Sequence, residues 1–280
     1  MIRYVLIGIC MLSSCNNAQP PEQKENIDKL EENMSNKWDP PKDLDGYQIA
    51  STGPFVTRQK TFSRVRKAYQ SKGPYLAWLL KQEGIISNKL ELYFQAFKKE
   101  DLFLVWAKNE SDRQFKLLKK YTICKKSGKL GPKRKEGDRQ VPEGFYHIDL
   151  LNPSSSYHLS LHVNYPNPSD LILSDQERPG GLIYIHGKCA TIGCLPMQDG
   201  PIEELYVLCT EAMNNGQKTI PITIFPFVPN DENLSIESKG EPRTTQLLWN
   251  DLKEGYNYFE KNKTLPKIKF NHNGRSQIED

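Results

Sequence analysis

Long apolar runs are scarce in this 280-residue chain. The one continuous stretch is Tyr4 to Met11, too short to cross a bilayer as a mature helix and of the length of a signal-peptide core. No other segment is long and apolar enough to span, which excludes a polytopic helical membrane protein. One sign of charge does not dominate either: Lys and Arg number 38 against 34 Asp and Glu, a formal net charge of +4. The clearest basic cluster, Lys125 to Lys135, is interrupted by two glycines and a proline and reads as a solvated loop. No aromatic-interleaved basic patch on a recognisable module is present, so no nucleic-acid partner is expected. Attraction to an anionic polymer such as a cell wall is compatible with the charge but not specific to it. Internal repeats are absent.

The N-terminus carries a short basic start (Met1-Ile-Arg3), the apolar core and then Leu12-Ser-Ser-Cys15. Small residues before a cysteine at that distance have the form of a bacterial lipobox, with Cys15 as the lipidated first residue of the mature protein. An ordinary secretory signal is the alternative. Residues 1–14 are therefore expected to be a lipoprotein signal peptide, and acyl chains on Cys15 to hold the protein on a membrane. Residues 15–45 are rich in Asn, Gln, Pro, Glu and Lys and almost without aromatics before Trp38, the composition of a flexible tether. The expected location is the bacterial envelope, on the outer membrane facing the periplasm.

The remainder alternates strand and helix signals. Residues 46–89 read as a helical segment, with Phe62, Val65, Tyr69, Leu76, Leu79 and Leu80 at helical spacing and a break expected at Gly73-Pro74. Residues 90–97 and 101–107 suggest a hairpin, and 115–124, 144–149, 157–163, 182–185 and 220–227 continue a β-rich series. The alternation over 157–163 places His158 and His162 on one face. Pro201 to Met213 is an amphipathic helix, 245–259 a final helix, and the polar tail beyond Lys267 is expected to be loose. The class is α+β, mainly β with flanking helices, a catalytic unit over 90–230 and a helical C-terminal extension with its tail over 231–280.

The most chemically suggestive stretch is Ile185-His186-Gly187-Lys188-Cys189-Ala190-Thr191-Ile192-Gly193-Cys194-Leu195, reached from an apolar run at Gly181 to Ile185. A histidine and a cysteine on one strand-to-loop turn form a candidate base and thiol nucleophile. Glycine before the cysteine leaves the backbone N–H groups of Gly193 and Cys194 free of obstruction toward an oxyanion. Thr191 is either a turn-forming hydroxyl or a supporting group. Simpler readings stand beside this one: His186 as a packed structural histidine, and Cys194 as half of a disulfide. In an oxidising compartment Cys189 is expected to be structural or idle, and Cys124 and Cys209 buried or paired. The spacing of His186, Cys189 and Cys194 is no familiar zinc set and lacks an evident fourth ligand, so no metal or cofactor is expected.

Further elements accompany this turn: Gly137-Asp-Arg-Gln-Val-Pro-Glu-Gly-Phe-Tyr146, the preceding Ser127 to Gly137, Asn152-Pro, Tyr165-Pro-Asn167 and Leu195-Pro-Met197. In this order they resemble the YkuD-type L,D-transpeptidase domain, and within it the YafK-like subgroup, over residues 90–230. The resemblance implies a β-sandwich or cradle fold and a Cys194 nucleophile with His186 as proton acceptor and donor. It also implies Gly187 as the carbonyl that orients the histidine, Tyr165, Asn167 and Arg178 on the substrate rim, and peptidoglycan stem peptides as partners. Many members of the wider family carry a second histidine before the cysteine and an arginine after it; Ile192 and Pro196 stand there instead. The missing arginine removes one candidate for holding a peptide carboxylate. Three functions remain open: a cysteine acyl-transferase or hydrolase on peptidoglycan, a non-catalytic wall-binding lipoprotein, and a metal or redox protein.

Overall fold

The structure is a computed structural model and describes residues 39–49 and 51–279. The signal sequence, Cys15 and the tether up to residue 38 lie outside the described residues. Residues 40–280 form one compact unit.

Its centre is an eight-stranded sheet in the order β3-β2-β1-β8-β4-β5-β6-β7. The strands are β1 (Leu90–Phe97), β2 (Leu102–Asn109), β3 (Lys116–Thr122), β4 (Gly144–Asn152), β5 (Ser160–Val163), β6 (Ile183–His186), β7 (Leu195–Pro196) and β8 (Ile220–Phe225). Neighbours run antiparallel except β1 with β8 and β6 with β7. β1 is buried along nearly its whole length because both faces of the sheet are covered. Tyr93 and Phe97 pack with Trp106, Phe225 and the C-terminal helix residues Trp249, Leu252 and Phe259. The alternating Leu92, Phe94 and Ala96 are fully buried on the opposite side. Each fully buried apolar side chain of this kind contributes about 1.5–3 kcal/mol.

Helices α1 (Pro54–Gln59), α2 (Ser63–Gln82), α3 (Pro168–Leu173), α4 (Asp199–Asn214), α5 (Asp231–Glu237) and α6 (Arg243–Asn262) complete the unit. α4 packs on α2 and against β1, and polar bonds tie it to α2 and to β3. Tyr69 of α2 donates to Glu211 Oε1 at 2.5 Å, and Tyr121 of β3 donates to Glu204 Oε2 at 2.7 Å.

Several expectations are corrected. α2 runs through Gly73-Pro74 without a break. Val65, Ala68, Leu76, Leu79 and Leu80 stay on one buried face across the proline, and that burial outweighs the lost N–H bond. The tail is not loose: β9 (Lys267–Phe270) and β10 (Ser276–Glu279) form an antiparallel hairpin. The Arg275 guanidinium grips the buried Asp251 carboxylate of α6, its Nε at 3.0 and 2.8 Å from the two oxygens, and the Ser276 N–H adds a bond of 2.9 Å. β5 covers only Ser160–Val163, so His158 falls outside it with φ 72° and does not share a strand face with His162. His158 meets Glu203 at 2.9 Å, whereas His162 meets Asp149 at 2.6 Å. α3 carried no helical expectation, whereas α5 falls in the helical extension expected over 231–280. Asn167 and Asn230 cap them, α3 through a reciprocal bond with Asp170.

Candidate active site

β6 and β7 are adjacent and parallel, with Ile185 opposite Leu195 and His186 opposite Pro196. The intervening loop leaves β6 at His186 and returns at Cys194. Cys194 directly precedes Leu195, so it stands at the start of β7 beside the strand that ends in His186. Bonds from Met197 N–H to the His186 carbonyl at 2.8 Å and from Gly187 N–H to the Leu159 carbonyl at 3.1 Å hold both ends of the turn.

His186 is 3% exposed. Its Nδ1 lies 2.6 Å from the Gly187 carbonyl oxygen, which can only accept, so Nδ1 carries the proton and Nε2 is left with its lone pair. Burial lowers the imidazole pKa below its ordinary 6.5, with the Gly187 carbonyl opposing in part. The ring packs against Tyr157, centroids 4.5 Å apart. Gly187 admits no side chain: a Cβ there would lie 2.7 Å from both the Tyr157 carbonyl oxygen and Asp199 Oδ1. Asp199 Oδ1 also accepts the Lys188 N–H at 2.8 Å, fixing the loop's first residue to the start of α4.

Cys194 is half-buried and unbridged. Its Sγ points to the Leu182 carbonyl oxygen at 3.8 Å rather than to the imidazole. Burial raises the thiol pKa above its ordinary 9.0, offset in part by the Tyr184 backbone N–H and the Lys133 ammonium. Both shifts favour the neutral form, the thiol at Cys194 and the uncharged imidazole at His186.

Thr191 organises the last turn. Its Oγ1 accepts from Cys194 N–H at 2.8 Å and Gly193 N–H at 3.2 Å and donates to the Cys194 carbonyl at 2.8 Å. The two N–H groups foreseen for an oxyanion therefore converge on one oxygen, here the threonine hydroxyl. Gly193 has φ 142°, and a Cβ would sit 3.2 Å from the Gln140 carbonyl oxygen. The loop over residues 127–141 thus lies directly against the cysteine turn.

That loop is built around Asp138. Its carboxylate accepts the Lys133 ammonium at 2.6 Å and the N–H groups of Arg134, Lys135 and Gln140 at 2.8, 3.0 and 3.0 Å. These charge-assisted bonds hold its pKa below the usual carboxylate value in spite of partial burial. Glu143 closes the other end, accepting from Lys98 and the Gly131 N–H at 2.8 Å each and from Trp249 Nε1 at 2.7 Å.

The three rim residues take different positions. Tyr165 is buried and donates to the Pro179 carbonyl at 2.9 Å. Asn167 is buried as the cap of α3 and donates to the Phe145 carbonyl at 3.1 Å. Both brace the segment that leads into β6. Arg178 is exposed on that segment and pairs with Glu136 at 2.9 Å.

A disulfide joins Cys124 to Cys189, pinning the middle of the loop to the end of β3 and leaving Cys209 buried and free. Lys133, Asp138 and Tyr157 were not singled out by sequence reasoning. The first two sit inside a quoted element, where a Lys and an Asp flank a glycine turn; Tyr157 carries no local signal. Among the described residues no group of His, Cys, Asp and Glu is placed to hold a metal ion, and no helix is long and apolar enough to cross a membrane.

No family model matches the chain. Over 179 residues it is 35% identical to the Escherichia coli K12 protein described as "Putative L,D-transpeptidase YafK", spanning 63% of this chain and 70% of that one; the Escherichia coli O157:H7 protein of the same description matches equally. Among solved structures, the helical cell shape determining protein Pgp2 of Campylobacter jejuni aligns at 19% identity and TM-score 0.38, covering 69% of this chain and 79% of that one. Mycobacterium tuberculosis L,D-transpeptidase 1 aligns at 15% and 0.27 over 48% and 62%. By its likeness to the Escherichia coli proteins, this chain belongs to the YafK-like L,D-transpeptidase family.

Proposed function

We propose that the protein is a cysteine-dependent acyl-transferase acting on peptidoglycan stem peptides, with Cys194 as nucleophile and His186 as its base. The observation that carries this reading is the His186 tautomer. The Gly187 carbonyl fixes the proton on Nδ1 and leaves Nε2 free on the strand beside Cys194.

Rotation of the Cys194 side chain away from the Leu182 carbonyl brings Sγ to Nε2, which takes the thiol proton as sulfur attacks an amide carbonyl of the stem peptide. A tetrahedral oxyanion forms, and the convergent N–H groups of Gly193 and Cys194 receive it once the Thr191 hydroxyl turns away. Each such donor is worth about 10²–10³ in rate. Collapse breaks the C–N bond, the imidazolium returns its proton to the leaving amine, and a Cys194 thioester remains. An incoming amine completes transpeptidation; water in its place gives hydrolysis and releases a wall-attached peptide. Arg178, exposed on the segment entering β6, is assigned to the substrate rim, with Tyr165 and Asn167 supporting it from beneath. No cofactor enters the reaction.

The lipobox at Leu12-Ser-Ser-Cys15 supports an envelope location, with the protein anchored through Cys15 and facing the periplasm. Incubating the purified protein and its Cys194→Ala variant with muropeptides, with products read by mass spectrometry, tests the assignment. Exchanged or crosslinked products establish transpeptidation, and trimmed or released peptides establish hydrolysis. Bound wall without product change establishes the non-catalytic reading.

A further inference from the structure

One hydrogen bond fixes a point on a ring and not its plane. The Gly187 carbonyl holds His186 Nδ1, but the imidazole could still swing about that bond and carry Nε2 off line. The side chain that meets the ring is Tyr157, centroids 4.5 Å apart and planes inclined by 41°. Tyr157 is itself 44% exposed, so burial in the core does not hold it there. Its placement comes from the loop over residues 155–158, between β4 and β5.

Cations take three of that loop's four carbonyls. Arg64 Nη1, in the first turn of α2, donates to Ser155 at 2.6 Å and to His158 at 2.7 Å, and Lys188 Nζ donates to Ser156 at 2.8 Å. The fourth, that of Tyr157, faces Gly187, where a Cβ would come within 2.7 Å of it. His158 Nε2 also meets Glu203 Oε1 of α4 at 2.9 Å. Two residues here lie in the left-handed region, His158 at φ 72° and Lys188 at φ 58°. One directly follows Tyr157 and the other stands two residues after His186. That conformation is unfavourable for a residue with a Cβ; it persists where surrounding contacts over-determine it, and such places cluster at functional sites.

We propose that Tyr157 is a positioning residue for the candidate base: its ring sets the plane of the His186 imidazole and keeps Nε2 aimed, while Arg64, Lys188 and Glu203 hold the loop that presents it. The inference rests on the proposed role of His186. Tyr157 acts through the imidazole and takes no proton itself. Its ring also keeps water from one side of His186, in agreement with the direction in which burial moves that pKa. The titratable and charged groups on the segments packed against the pair are Arg64, His158, Lys188, Asp199, Glu203 and Cys194. None of them is among the causes of the shift, which are burial and the Gly187 carbonyl.

The test compares full-length wild type, Tyr157→Ala, Tyr157→Phe and Arg64→Gln, each with its melting temperature as a fold control. Two readouts are taken: kcat and KM on muropeptides across pH, and nitrogen-15 NMR of the imidazoles, with His186→Gln to assign the His186 signals. Tyr157→Ala is expected to lower kcat about 10²-fold, the scale of a misplacement of about 1 Å, with KM within about twofold. Its His186 should show mixed tautomers in place of a single Nδ1–H form, and should titrate closer to 6.5 as the ring gains water. Tyr157→Phe keeps the ring and should restore both readouts. Arg64→Gln, which frees the loop, should move both in the direction of Tyr157→Ala, by about tenfold in kcat. A folded Tyr157→Ala with the wild-type imidazole spectrum would overturn the positioning role. So would a raised KM at unchanged kcat, the mark of a substrate contact, or a Tyr157→Phe as damaged as Tyr157→Ala. If wild type turns over no muropeptide, the enzymatic reading falls, and the imidazole spectra alone uphold or overturn the placement of His186 by Tyr157.

Discussion

At the scale of single residues, the pair is defined by what holds each member neutral. Burial depresses the His186 pKa and raises that of Cys194, which favours a neutral thiol and a neutral imidazole over an ion pair in the proposed site. The sign of the pH dependence follows. Protonation of His186 removes the base, and because its pKa lies below 6.5, kcat/KM should hold on acidification to that value and fall only beneath it. An acid limb centred above 6.5 would contradict the burial argument. His186→Ala should lower kcat by about 10²–10⁴, the usual range for loss of a general base. Gly187→Ala is a different kind of test, since its Cβ would meet two oxygens at 2.7 Å. Overpacking of this kind should cost about 1–3 kcal/mol in a denaturant titration and displace the carbonyl that sets the tautomer. Of the unbridged cysteines, burial pushes the Cys209 thiol far above its ordinary value. Among the described residues, iodoacetamide on the native protein should therefore label Cys194 and spare Cys209, as read by peptide mapping.

At the scale of elements, the His-to-Cys loop is secured at three points: the β6–β7 pairing, the Asp199 carboxylate at its start and the Cys124–Cys189 bridge in its middle. Closing a chain segment of 65 residues gives the bridge about 4 kcal/mol in the chain-entropy model. Cys124→Ser/Cys189→Ser should accordingly melt roughly 10 °C lower by calorimetry. An unchanged melting temperature would mean that the bridge is absent from the folded protein.

Legibility from sequence divides along the same line. The apolar alternation of β1 and β2 and the amphipathic α4 and α6 are local patterns, and they read correctly within a few residues. The helix across Pro74 did not, because burial of Leu76, Leu79 and Leu80 is a tertiary fact with no local sign. The β9–β10 hairpin was invisible for a related reason: a polar strand pair is ordered by contacts across the fold, with Arg275 and the Ser276 N–H on Asp251 and Ser169 on the Gly274 carbonyl. In the site, His186, Cys194, Gly187 and Thr191 could be picked out because the chemistry is sequential, packed into one turn. Lys133 and Asp138 could not be assigned a role, since their relation to Cys194 exists only once Gly193 packs on the Gln140 carbonyl.

At the scale of the whole molecule, the C-terminal extension is bonded through Glu143 to the loop that lies against the cysteine turn. Trp249 of α6 donates to Glu143, whose other oxygen holds Lys98 at the end of β1 and the Gly131 N–H of the loop against the cysteine turn. Trp249→Phe deletes the bond and, because the indole is buried, also leaves a small cavity. It should cost about 1–3 kcal/mol of stability and loosen the 127–141 loop, seen as faster hydrogen exchange there.

The central claim is a covalent one: an acyl group resides on Cys194 during turnover. Rapid acid quench of the enzyme with excess muropeptide, followed by intact-protein and peptide mass spectrometry, reads it most directly. Expected is an added acyl mass on the Cys194 peptide, labile to hydroxylamine and absent in Cys194→Ala. Turnover persisting in Cys194→Ala, or product formation with Cys194 unmodified throughout, would contradict it.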